Sequence, residues 1–232
     1  MIVKSGFLLI DKPEDWTSHD VVVVIRNKFK TKENKRLKVG HAGTLDPFAT
    51  GLLLVGVGRA ATRRIDEFKG LKKEYIAEVQ LGFVSNTQDR TGEIEEKGVE
   101  EAKNIRKEAL EELLKRFVGE QSQIPPMFSA KKIKGKKLYE LARKGEVVER
   151  EPNQIEIYEL ELLSFDQSTG TFQIRALVSV GTYIRTLAHD IGESLGVGAY
   201  CKELRRTKIG DFDVKKAKGA KEVEESDIFD IE

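Results

Sequence analysis

Residues 51–58, GLLLVGVG, are apolar throughout and bounded by glycines. A run of that length without polar alternation reads as a buried strand, and the rest of the fold has to be built around it. The eleven residues before it, GHAGTLDPFAT, form a glycine-rich loop with one carboxylate, Asp46, between Leu45 and Pro47. Gly40, Gly43 and Gly51 let the backbone pass close to another body. Pro47 fixes φ immediately after the acid. The loop therefore reads as built to hold one acid steady. A carboxylate so held can act as a nucleophile at an electrophilic carbon, although a loop Asp also serves as a helix cap or an acceptor for backbone N–H groups. A nucleophilic Asp must be ionised and aimed, which a neighbouring guanidinium does by charge and by bidentate geometry. GTYIRT, residues 181–186, offers Arg185 at the start of an amphipathic segment. Arg185 stands one residue past Ile184, so a plain surface role is also open to it.

Around this loop the chain alternates between strand and helix patterns. GFLLI, residues 6–10, reads as a short strand stopped by Asp11-Lys12-Pro13. Thr17 and Asp20 are spaced as a capping box. After them Val21, Val24, Ile25 and Phe29 share a helical face, while the valines leave a strand over 20–25 open. In KKEYIAEVQLG, residues 72–82, Tyr75, Ala77, Val79 and Leu81 alternate with polar neighbours, as on a half-buried strand. Residues 100–119 read as one long helix with Ile105, Leu110, Leu113, Leu114 and Phe117 on its apolar face and Gly119 at its end. Residues 120–137 have no clear period, and Pro125-Pro126 forbids a regular helix or central strand. A short helix over 138–144 follows, so about 120–150 reads as an exposed, basic insertion. Residues 154–165 and 171–180 alternate as strands joined by a turn. Ile184, Leu187, Ala188, Ile191 and Leu195 then have helical spacing, and strand character returns at 198–209. Strands and helices intermix without strict βαβ alternation, which predicts an α+β fold on a mixed or antiparallel sheet flanked by helices.

Composition narrows the class. The 232 residues include 34% charged and 39% hydrophobic side chains, ordinary for a globular chain and against wholesale disorder. They suffice for one large domain, or for one domain with a small appendage. The single cysteine, Cys201, cannot form an internal disulfide, which suits a reducing compartment. The apolar runs are too short to span a bilayer, and the N-terminus lacks a signal-peptide pattern, so a cytoplasmic protein is expected. Net charge is only +1, but 30–38, 131–137 and 202–208 are basic while 222–232 carries six acids and no base. Basic patches in a neutral chain suit a polyanion such as folded RNA, although each alone is also an ordinary solvated loop. Gly56, Gly58 and Ala61 imitate a dinucleotide fingerprint, but the acid about twenty residues on, Glu78, is mid-strand rather than at a strand end. His19, His41 and His189 lie far apart and no zinc spacing occurs. There is no P-loop and no G-x-S-x-G elbow. Chemistry without metal or cofactor remains.

GHAGTLDPFATGLLLVGVGRAATR, residues 40–63, closely resembles the central motif of the tRNA pseudouridine-55 synthases, the TruB family of pseudouridine synthases. Five further blocks match in order: GFLLIDKPEDWTSHDVV, KKEYIAEVQLG, QIPPMFSAKKIKGKKLYELARKGEVVERE, VSVGTYIRTLAHDIGESLG and CKELRRTKIGDF, so the resemblance covers about residues 5–213. It implies a pseudouridine-synthase catalytic domain over 1–215, whose insertion at about 120–150 grips RNA, followed by an acidic C-terminal tail over 216–232. It implies isomerisation of uridine in the T-loop of tRNA, at position 55, with no cofactor and no metal. Asp46 matches the nucleophile, and His41 the residue that fills the space left by the extruded base. Tyr75 matches the aromatic that stacks on that base. Tyr183 and Arg185 match the pair that supports the base and holds the nucleophile, and Leu204 an apolar pocket wall. GRAATR runs one residue longer than the family's usual G-x-A-T-[KR], with Arg63 at the basic, substrate-contacting position. Many members carry a further RNA-binding domain of the PUA type. None is expected here, so the grip on tRNA falls to the insertion and the basic patches, with a steep salt dependence. A monomer is expected. A guide-RNA-dependent synthase and a non-catalytic RNA-binding or RNA-folding module are the alternatives, and a glycosidase would need a second carboxylate that the sequence does not offer.

Overall fold

The computed structural model describes residues 4–231 apart from 33, 130, 134, 143 and 147. The chain begins with β1 (Gly6–Lys12), α1 (Ser18–Phe29), β2 (Val39–His41), β3 (Thr50–Val57), α2 (Gly58–Lys69), β4 (Lys73–Leu81), β5 (Phe83–Ser85) and β6 (Ile94–Glu96). It continues with α3 (Val99–Ala102), α4 (Lys107–Phe117), β7 (Gly119–Gln123), β8 (Lys132–Ile133), β9 (Lys136–Lys137) and α5 (Leu138–Ala142). Last come β10 (Asn153–Asp166), β11 (Thr171–Val178), α6 (Ile184–Ser194), β12 (Ala199–Ile209), β13 (Phe212–Asp213) and β14 (Lys218–Gly219). Two compact units form, residues 1–75 with 205–232, and residues 76–204.

In the first unit the apolar run is β3, as its sequence predicts. β1 runs antiparallel along it from Gly6↔Val57 to Lys12↔Gly51. On its other edge β2 pairs antiparallel over Val39↔Val57 to His41↔Val55, and β12 pairs parallel through Arg205↔Thr50 and Arg206↔Gly51. The sheet is therefore mixed. Leu53, Val55 and Val57 join Leu8 and Ile10 under Val21, Val22, Ile25 and Phe29 of α1. Leu52 and Leu54 join Phe7 under Ala61, Ile65 and Phe68 of α2. A strand covered on both faces gains nothing from alternation, which is why the run is continuously apolar.

Residues 18–29 form a helix, not a strand. The Thr17 hydroxyl accepts from the Asp20 N–H at 3.1 Å, and the Asp20 carboxylate accepts from the Thr17 N–H at 2.8 Å, closing the capping box. Burial of one face against β1 and β3 then outweighs the modest helix propensity of valine. Helix α2 was not anticipated from the sequence, although Ala61, Ile65 and Phe68 carry the i, i+4, i+7 spacing that would have found it. Its strand pairs antiparallel with both β1 and β2, not in the parallel βαβ unit that a dinucleotide fingerprint requires.

The segment read as an acidic tail is folded. Ala220, Val223 and Ile228 enter the core beneath α1. Phe7 and Phe229 exchange backbone hydrogen bonds at 2.7 and 3.0 Å. Residues 216–232 hold as many apolar side chains as acids, six of each, and the apolar ones decide where the segment goes, because only they gain by leaving water.

The second unit carries β12, β4, β11, β10 and β7 in that order. β10 pairs antiparallel with β11 and with β7. The long helix predicted over 100–119 is two. Asn104 hydrogen-bonds through its side chain to the Glu100 carbonyl at 3.1 Å, and Arg106 is extended at φ −88°, ψ 148°. Short polar side chains that bond the backbone compete with the helix, so α3 stops, Ile105 falls between, and α4 starts afresh with Leu110 and Leu114 buried. Residues 119–123 of the expected insertion belong to the sheet as β7. The excursion that follows holds the β8–β9 hairpin and α5, with residues 130, 134, 143 and 147 outside the described residues.

Candidate active site

Asp46 stands half-buried in the loop joining β2 to β3, and that loop is pinned from three directions. Ser18, buried at the start of α1, donates its hydroxyl to the Leu45 carbonyl at 3.2 Å and accepts from the Leu45 N–H at 2.9 Å. Lys12, fully buried at the end of β1, donates its ammonium to the carbonyls of Pro13, Trp16 and Pro47 at 2.9, 2.6 and 3.1 Å. Arg206, 1% exposed on β12, donates Nε to the Leu52 carbonyl at 2.7 Å and Nη2 to the Gly43 carbonyl at 3.1 Å. The residues on either side of Asp46 are thus both held, and the loop's first turn is held at Gly43. A carboxylate on a pinned backbone loses little further entropy when it meets a substrate.

Two buried lysines join Arg206 in setting the charge of this region. Burial lowers the Lys12 pKa to about 8, and the nearby Asp46 charge is the strongest influence in the other direction. Lys73, at the start of β4, is also brought to about 8 by burial and then by the Arg206 charge, while it donates to the carbonyls of Lys69 and Leu71 at 2.7 Å each. An ammonium at the end of α2 in this way satisfies the Lys69 carbonyl that the helix leaves over.

His41 is half-buried at the end of β2, and its Nδ1 has no hydrogen-bond partner among the described residues. Burial first, and the Arg206 charge second, hold its pKa below the usual imidazole value. Between the lowered folded value and the unfolded one near 6.5, the unfolded chain binds more protons, so stability rises with pH across that window. Acidification below about pH 6.5 is therefore expected to lower the urea midpoint. His41→Gln should make that loss shallower. Midpoints at pH 7 and pH 5 for both proteins check this, and equal losses would remove His41 as the cause.

Tyr75, 8% exposed, lies on β4, and Arg63 is exposed on α2. The other predicted residues lie in the second unit. The Arg185 guanidinium is buried, not superficial. It faces the Asp89 carboxylate at 3.3 Å and donates to the carbonyls of Thr87 at 2.6 Å and Phe128 at 2.8 Å. Asp89 in turn accepts from the hydroxyls of Thr87 and Thr91 at 2.8 and 2.6 Å. Tyr183, the residue before α6, is fastened by Gln123, whose side-chain amide accepts from its N–H at 2.8 Å and donates to its carbonyl at 3.0 Å. Leu204, 6% exposed, is on β12.

Sequence reasoning did not single out Lys12, Ser18, Arg206, Asp89 or Gln123. The Lys12 signal was present as a basic residue at the end of an apolar strand, and the Asp89 signal as a carboxylate in the turn-rich SNTQDRTG. Neither pattern separates a buried charge from a solvated one. Among the described residues no group of three or more His, Cys, Asp or Glu could hold a metal ion, and no helix is long and apolar enough to cross a membrane.

The TruB family pseudouridylate synthase N-terminal domain matches residues 26–184, and the tRNA pseudouridylate synthase B C-terminal domain matches 185–229. A tRNA pseudouridine synthase B from Parabacteroides distasonis is 48% identical over 224 residues, covering 96% of this chain and 93% of the relative. One from Aquifex aeolicus is 46% identical over 213 residues, covering 92% of this chain and 71% of the relative. A chain in a solved Cbf5–Nop10–Gar1 complex is 31% identical with a TM-score of 0.67, covering 92% of this chain and 52% of that one. With both family domains matched in order and the pinned aspartate loop in place, the chain belongs to the TruB family of pseudouridylate synthases.

Proposed function

We propose that this enzyme isomerises uridine to pseudouridine at position 55 in the T-loop of tRNA, with Asp46 as its nucleophile. The loop uridine is stacked in folded tRNA and must be extruded before any side chain reaches it. Asp46 adds to an electrophilic carbon of the extruded nucleotide. The N1–C1′ bond breaks, the uracil turns, and a C5–C1′ bond forms. The bond to Asp46 breaks and returns the carboxylate, the proton leaves C5 and N1 gains one, so the product is an isomer and no redox partner enters. His41 occupies the space the base vacates. Tyr75 stacks on the base, a contact worth about 1–3 kcal/mol, and Arg63 meets the RNA backbone. Tyr183, Arg185 and Leu204 support the base and the nucleophile in the roles the family resemblance assigns. The enzyme acts on tRNA in the cytoplasm, as a monomer.

The observation that carries this reading is the loop itself, in which buried Ser18 and Lys12 hold the residues on both sides of Asp46. A non-catalytic RNA-binding module has no use for a carboxylate held that way. The test is release of tritium from C5 of uridine in one unmodified tRNA, with a T-loop U-to-C tRNA as control and no other protein present. Release from the first and not the second is expected. No release from naked tRNA would favour a guide-RNA-dependent enzyme, the reading that likeness to a chain from a Cbf5 complex raises.

Arg185→Lys is expected to lower kcat by about 10²-fold, the scale of losing one preorganised donor. An ammonium donates from a single nitrogen, so it cannot span the acceptors that the guanidinium meets through two, Asp89 and Thr87 at Nη1 and Phe128 at Nη2. Single-turnover rates check this, and an unchanged rate would remove Arg185 from the machinery.

A further inference from the structure

The first unit holds a second feature that the reaction does not account for. Arg26, Lys32, Lys35, Arg36, Lys38 and Arg59 line an open groove of about 920 Å³ between the α1–β2 connection and the start of α2. Among the described residues no acidic side chain lines it, and none of the six cations is in an ion pair with a carboxylate. Elsewhere this chain pairs its surface cations freely, as Arg64 with Glu67 and Lys69 with Asp66 on the same helix α2. Arg59 is also misplaced by the rules of its own helix. It stands in the first turn of α2, where the macrodipole favours an anion, and that turn has no acid and no side-chain cap. Six like charges gathered with no counter-charge among the described residues cost self-repulsion, and an anionic occupant repays it.

Resting on the tRNA-modifying reading above, we propose that this groove binds the sugar-phosphate backbone of the substrate RNA outside the extruded nucleotide. The groove is open and elongated in charge, with cations from α1, the connection and α2. A single phosphate would leave most of them unpaired, whereas a backbone carries a charge at every nucleotide. The groove is directly continuous with the reactive loop in sequence, because Lys38 and Val39 lead through β2 into His41. Positioning contacts of this kind set register and affinity without reading bases.

The test is the triple variant Lys35→Gln, Arg36→Gln, Arg59→Gln, none of which is in the catalytic set. The dissociation constant for one unmodified tRNA is measured from 50 to 300 mM salt, alongside single-turnover tritium release at saturating enzyme. Binding is expected to weaken at least about tenfold near physiological salt, and the slope of log affinity against log salt to fall by about 2–3, close to 0.9 per lost phosphate contact. The saturated rate should match the parent protein. Unchanged affinity and unchanged slope would overturn the groove proposal, as would a lost saturated rate with unchanged affinity. The binding arm needs no turnover. A parent protein that binds tRNA through the groove but never releases tritium would therefore fail the catalytic reading and leave this one standing.

Discussion

Asp46→Asn is expected to lower the rate of pseudouridine formation by at least about 10⁴-fold, the scale of removing an enzymic nucleophile, while tRNA binding stays within about twofold. The amide keeps the shape of the carboxylate but cannot form the covalent bond to carbon. The loop should keep its place, because Ser18, Lys12 and Arg206 hold backbone atoms, not the Asp46 side chain. One further consequence identifies the cause. The Asp46 charge is the main influence supporting the protonated form of Lys12, so its loss should move the Lys12 pKa below about 8. Tritium release, filter binding and a titration of Lys12 followed by NMR check the three parts. Turnover near the parent rate would place the nucleophile elsewhere.

Gly51→Ala is expected to have the largest effect on stability, about 3 kcal/mol or more, from backbone strain and the carbonyls it leaves unsatisfied. Gly51 sits at φ +105°, and a Cβ there would stand 2.2 Å from the Arg206 carbonyl oxygen and 2.8 Å from its nitrogen. Those atoms are backbone, on the strand that pairs with β3 at this residue, so they cannot swing aside. Displacing them also moves the Arg206 guanidinium from the carbonyls of Leu52 and Gly43. For a chain of this length the loss corresponds to a fall in Tm of about 10 °C. Gly70→Ala is the control, since Gly70, the C-cap of α2, has right-handed helical backbone angles and a Cβ there meets nothing within 4 Å. It should be neutral or slightly stabilising. Equal melting temperatures for the Gly51 variant and the parent would show that β12 and β3 are not in contact at this position.

The glycine-rich loop was legible because each of its signals is local. Gly51 and Pro47 constrain their own φ angles, and the apolar run after them can only be buried. β4, β10, β11 and α6 were legible for the same reason, as their periods of two and 3.6 are written over consecutive residues. The break at Asn104 was not, because it depends on one side chain bonding the backbone four residues back, against an apolar spacing that continues through it. The pins on the catalytic loop were illegible for a stronger reason. Ser18 meets Leu45 across 27 residues, and Arg206 meets Leu52 across 154.

From the sequence alone came the family, the reactive loop and the order of most strands and helices. Each is either a motif of adjacent residues or a periodicity of neighbours. Only the tertiary structure decided that residues 18–29 coil into a helix, and that the acidic C-terminal segment packs against β1. It also decided that Lys12, Arg206 and Arg185 are buried cations rather than solvated ones. A side chain's charge is a property of its residue, but the cost of burying that charge is set by the carbonyls and carboxylates it meets there. Those partners arrive from distant parts of the chain only when it folds.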